Sequence, residues 1–191
     1  MMGWQTRVYG ESHEGRPAAV LEDGSEPPPA RPDGDGGGAV PGPGDWRICD
    51  GRAGASRATR VRAACACGWR GADAYPITRD ADGDPCATDL SGVYQDWADH
   101  IQQVEARTVP LPLELEGLMQ ALEEKLESLT VQAPTAALKA VTVLERVAQL
   151  VGRDAATIVR AQGIPAHRMA TALGRTEKEA RALLQRHSST G

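Results

Sequence analysis

The segment Cys65-Ala66-Cys67-Gly68-Trp69 holds the residue types best suited to chemistry. Zinc takes deprotonated Cys and neutral His in a tetrahedron, commonly from a Cys-x-x-Cys knuckle whose second Cys precedes a glycine that lets the backbone turn. The spacing here is one residue shorter. Residues two apart on a strand share a face, so Cys65 and Cys67 point to one side. His100 lies close to the apolar face of a helix expected over 89–106. Cys86 completes a candidate set of four, with Cys49 as the alternative fourth ligand. The same sulfurs suit packing as well, because free Cys is among the most buried residue types and would line a sheet beneath Trp97. Redox chemistry is a third, minor use. Zinc is the one cofactor the sequence suggests.

A second pattern occupies the C-terminal end. Gly163 can stop a helix, and Pro165 can occupy the first turn of the next, where its missing N–H costs nothing. Met169 and Leu173 form an apolar stripe that Gly174 terminates. The small Ala170 permits close approach, while Ala180, Leu183 and Leu184 form the facing stripe. Thr176 followed by Glu179 is a capping box at the start of the last helix. Together these make a helix-turn-helix.

Residues 159–180 resemble small DNA-binding proteins of high-GC (actinobacterial) bacteria that carry a pattern close to V-x-x-A-R-x-x-G-x-S-W-x-x-I-A-x-x-L-G-x-T-R-Q-A. Val159 to Gly163, Met169-Ala170, Leu173-Gly174, Thr176 and Ala180 fit it; Ile164-Pro165 and Glu177-Lys178 depart from it. The resemblance implies a recognition helix beginning at Thr176 that enters the major groove of double-stranded DNA. Arg175, Thr176, Lys178 and Arg181 would form its reading face, and Arg168 and Arg186 would contact phosphates. Glu177 and Glu179 would be repelled by phosphate. The Cys-x-Cys-Gly-Trp segment with a His about thirty residues later is similar to uncharacterised proteins of the same bacteria.

Charge distribution gives this pattern its context. The chain is acidic overall, with a net charge of −5. Residues 153–191 nonetheless carry seven basic and three acidic groups, and 46–80 also carry seven and three. A basic module on an acidic protein has few phosphate contacts. Useful affinity would need a homodimer, or else a partner helix would be bound, through the leucine-rich helices at 113–151. No run approaches the roughly 20 apolar residues of a membrane span. The N-terminus lacks a signal sequence, so a cytoplasmic protein with reduced cysteines is expected. None of His13, His100, His167 and His187 has a nucleophile or paired carboxylate at motif spacing, and no phosphate-cradling Gly-rich loop is present. An enzyme is therefore not expected. The alternative to a DNA-binding regulator is a scaffold module whose Leu115–Leu129 face binds a partner helix.

The elements that must position these groups differ between the two halves. All four Trp and all three Tyr precede residue 98, and there is no Phe. The composition predicts an α+β chain: a small antiparallel sheet with one helix, followed by an all-α helical hairpin and helix-turn-helix. Residues 1–21 read as a tail or a short strand, with Trp4–Val8 the strand candidate, and the acidic Pro/Gly-rich 22–45 as a disordered linker. Residues 46–108 read as the sheet-plus-helix module. In it a strand over 60–67 pairs with Trp46–Cys49, and a third runs from Gly68 to Ile77. Residues 109–191 read as the helical domain. Leu115, Leu118, Met119, Leu122, Leu126 and Leu129 make one apolar face, and Leu138, Val141, Leu144, Ala148 and Val151 the next.

Overall fold

The computed structural model describes residues 3–27, 46–49, 57–81, 83, 85 and 88–188. Residues 28–45 of the expected linker, the turn expected at 51–56 and Cys86 lie outside them. The fold is α+β, with a three-stranded antiparallel sheet and five α-helices among the described residues. The chain divides into two compact units, residues 1–106 and 107–191.

In the first unit, β1 (Gly15–Leu21), β2 (Ala58–Cys65) and β3 (Tyr75–Pro76) lie in the order β1-β2-β3. The partner of β2 is thus β1 and not Trp46–Cys49. Residues 15–21 give β2 seven paired positions, running from Gly15 opposite Cys65 to Leu21 opposite Ala58. Trp46–Ile48 instead forms one 3₁₀ turn that drives the Trp46 indole into the core at 1% exposure. Pro17, which has no N–H to give, is tolerated because β1 is an edge strand. The third strand is shorter than expected. Arg70 makes a single bridge to Ala64, and regular pairing is confined to Tyr75 and Pro76. Trp4–Val8 is not a strand either; Trp4 makes one bridge, to Gly15. Helix α1 (Ser91–Glu105) lays Val93, Trp97, His100 and Ile101 against the sheet, positions that share one helical face.

The second unit follows local signals closely. Helix α2 (Leu113–Gln132) ends at Ala133, and Pro134 opens α3 (Pro134–Ala161) from a first-turn position where it sacrifices no hydrogen bond. Helix α3 is continuous through Gly152. It stops where Gly163 takes a left-handed φ of 62°. Pro165 caps α4 (Ala166–Leu173) from outside its first turn, in extended conformation. Gly174 follows at φ 59°, and α5 (Glu177–Arg186) starts in a complete capping box. There the Glu179 N–H donates to Thr176 Oγ1 at 3.3 Å, and the Thr176 N–H donates to Glu179 Oε2 at 2.9 Å. Met169, Ala170 and Ala180 form the small core of this corner, with Val159 and Leu184 against it. Leu173 does not join them and stays 41% exposed, because two alanines at the crossing already bring the helices together.

Candidate metal centre

The β1–β2 register builds the site. Gly15 faces Cys65, and the Ala66 N–H donates to the Glu14 carbonyl at 2.9 Å, so the chain just before β1 lies beside the chain just after β2. His13 ends a 3₁₀ turn, Gly10–His13, at this point. Its carbonyl accepts from the Trp97 indole at 3.1 Å. That indole needs the space over Gly15, where a Cβ would overlap its ring.

On the other side the chain turns sharply. The Gly68 N–H donates to the Cys65 carbonyl and the Cys65 N–H to the Trp69 carbonyl, both at 3.0 Å. Gly68 closes the turn at φ 98°, a backbone conformation L side chains rarely adopt. The turn also aims backbone donors at sulfur: the Cys67 N–H serves Cys65, and the Trp69 N–H serves Cys67. His100 arrives from α1 with its ring stacked on Trp69, centroids 4.3 Å apart and planes 6° off parallel. Packing of this kind fixes the orientation of a metal-binding imidazole.

Cys65 Sγ lies 3.5 Å from His13 Nδ1, and Cys67 Sγ lies 3.4 Å from His100 Nε2. All four ligand atoms are within 4.8 Å of one another. A tetrahedral zinc site with bonds of about 2.0–2.3 Å has ligand–ligand edges of roughly 3.3–3.8 Å. The two shortest separations already match. Cys65, His13 and His100 are buried and Cys67 is half-buried. The cluster could therefore hold a metal ion.

Electrostatics point the same way. The Cys65 thiol hydrogen-bonds to Cys67 and, with the Trp69 N–H and His100, holds the Cys67 thiol down at about 5 despite burial. Cys65 is pushed up, first by holding the proton of that bond and then by burial. The pair thus keeps one proton between two sulfurs. A divalent cation would displace it, since thiolates are the ligating species. Four protein ligands leave no open coordination position, which is the pattern of a structural site.

Three of the candidate ligands, Cys65, Cys67 and His100, are brought together. The fourth member is His13, which the sequence alone did not place there. Cys86 lies outside the described residues. Cys49 is buried in the core of the first unit, outside the ligand cluster. The one sequence cue to His13 is its position two residues before the run Gly15–Leu21, had that run been read as the partner of β2. Asp96, four residues before His100, accepts from the Tyr75 hydroxyl at 3.1 Å.

The candidate DNA contacts all fall in the second unit. Arg168, Arg175, Lys178, Arg181 and Arg186 are exposed. Thr176 is half-buried, and its hydroxyl donates to Glu179 Oε2 at 2.7 Å within the cap. Arg181 pairs with Glu177 at 2.7 Å. Comparison with protein families, with curated proteins and with solved structures gives no match for this chain. No helix among the described residues is long and apolar enough to cross a membrane.

Proposed function

We propose that this is a non-catalytic cytoplasmic DNA-binding protein, a transcriptional regulator or its accessory, whose N-terminal unit is held together by zinc. The observation that carries the zinc half is the convergence of His13, Cys65, Cys67 and His100 within 4.8 Å, on a hydrogen-bonded turn and in a largely buried setting. Two sulfurs and two imidazoles favour zinc over the hard cations that prefer oxygen. Protein purified without added metal should hold close to one equivalent of zinc per chain. Less than about a tenth of an equivalent, with Cys65 and Cys67 freely alkylated, would remove this half of the reading.

The DNA half rests on the capped α5 and the cations around it. Thr176 and Glu179 fix the helix start, with Arg175 exposed just before it and Lys178 and Arg181 exposed along its first two turns. In this reading Thr176 positions the helix, Arg175, Lys178 and Arg181 face the bases, and Arg168 and Arg186 meet phosphate. Glu177 keeps Arg181 in place until DNA replaces it as partner. So few phosphate contacts require two copies of the module for useful affinity. Gel shift with mixed genomic fragments at low salt should show retention, weakened at least tenfold in the Arg175→Ala, Arg181→Ala double variant. Retention that the double variant leaves unchanged, or none at all, leaves the scaffold reading standing instead.

A further inference from the structure

Helix α2 has no buried residue, and α3 buries only Ala137 and Ala156. Leu118, Met119, Val143, Val147, Leu150 and Val151 are each more than half exposed. The second unit's own packing does not reach most of them. The helix-turn-helix engages the C-terminal part of α3, where the His187 ring sits on Gly152 and an Arg160 guanidinium N–H donates to the Leu184 carbonyl at 2.7 Å. Upstream, among the described residues, α2 and α3 pack chiefly on each other. On α2 an open groove of about 350 Å³ runs between Met119, Leu122 and Leu126, with Glu123 and Glu127 on its rim. Exposed apolar side chains gathered along two neighbouring helices mark an interface.

We infer that the occupant is a second copy of this chain, with the α2 and α3 helices of two copies packed as a four-helix bundle in which α2 of one lies against α3 of the other. Charge selects both the occupant and the pairing. Helix α2 carries Glu114, Glu116, Glu123, Glu124 and Glu127 against Lys125 alone. Helix α3 carries Lys139, Arg146, Arg153 and Arg160 against Glu145 and Asp154, its cations repeating every seven residues. One hairpin thus presents an acidic and a basic apolar helix together. Two identical hairpins related by a two-fold axis satisfy both at once, whereas α2 against α2 would oppose like charges. A standard stable interface buries about 800 Å² per partner, and both helices of the hairpin carry exposed apolar side chains to contribute to it. With the two-fold along the bundle, α2 and α3 alternate around it and each α2 meets two α3 helices. Both α3 C-termini, and so both helix-turn-helix corners, then lie at one end.

This pairing supplies the second copy that the DNA reading requires, but the argument for it uses no DNA. Sedimentation equilibrium of the full chain without DNA should give twice the 20.2 kDa chain mass. Val147→Glu with Leu150→Glu should give a monomer that keeps its metal content and near-ultraviolet spectrum. Raising salt should weaken the dimer, because opposite charges face each other across it. A monomeric parent, or a dimer that survives the double substitution, overturns the interface. A dimer that tightens with salt overturns the α2-to-α3 pairing. Loss of DNA retention with the dimer intact would count against the DNA reading alone.

Discussion

The two units spend their apolar residues in opposite ways. The first gathers Trp46, Val61, Val93 and Trp97 into a core of at most 3% exposure, joined by strands and a helix from distant parts of the chain. The second contains more leucine and valine in regular stripes, yet its own core is Met169, Ala170 and Ala180 with two flanking side chains. A sheet covered by one helix can close on itself, whereas two helices side by side each leave an apolar flank without a cover. Residues far apart in sequence converge on one ligand cluster in the first unit. The second unit presents its chemistry outward, as charge and apolar surface.

The largest test of this contrast is to remove the metal proposed for the first unit. A structural zinc contributes on the order of 10 kcal/mol to the folding of a small domain. Chelation, or Cys67→Ser, should therefore unfold the first unit and leave the second folded. The two are spectroscopically separable, because every Trp and Tyr precedes residue 98. Near-ultraviolet circular dichroism should collapse while most of the helical signal at 222 nm persists; parallel loss of both would show that the two units unfold together. Acid should have the same effect. Protons compete with zinc for both sulfurs, so retention falls as pH drops. In the metal-free pair the Cys65 thiol is pushed up and keeps its proton, while Cys67 stays ionised down to about 5.

Next in size is one substitution made in both units. At Gly15 a Cβ would enter the ring of Trp97, a buried indole tied to the His13 carbonyl, so Gly15→Ala should cost about 1–3 kcal/mol and loosen zinc. At Gly152 a Cβ would meet the His187 ring, which lies just past the end of α5 and can swing away. Alanine also favours the helix by up to about 1 kcal/mol, so Gly152→Ala should leave stability within about 1 kcal/mol of the parent. Equal costs in denaturant unfolding would erase the contrast. Thr176→Ala should cost about 1 kcal/mol, confined to the thermal transition of the second unit, by removing the cap. The smallest effect is expected at Glu177→Gln. Its pair with Arg181 is exposed on both sides and contributes under about 0.5 kcal/mol, so a larger loss would show a tighter corner than the structure describes.

What could be read from the sequence divides along the same line. In the second unit the left-handed Gly163 and Gly174 and the Thr176–Glu179 box each act within a few residues, and they lie where the sequence places them. Pro165 and Leu173 deviate only in detail. In the first unit, helix α1, the extended run into Cys65 and the membership of Cys65, Cys67 and His100 were legible, although the strand expected over 60–67 ends at Cys65 and the turn closed by Gly68, not strand alternation, brings Cys67 beside it. The strand partner and the fourth ligand were not. Pairing of 15–21 with 58–65 joins segments some forty residues apart, and no local pattern states which strand will be chosen.

The sequence by itself determined the α+β division, the corner before α5, the apolar stripes of α2 and α3 and the sulfur pair at 65 and 67, since each is set by backbone preference or side-chain period over a few residues. Only the tertiary structure decided that β1 is the partner of β2 and that His13 comes to rest 3.5 Å from Cys65. It also decided that the leucine-rich helices keep their apolar flanks exposed. Those outcomes depend on which distant surfaces exclude water from one another, and that competition is settled by the whole chain.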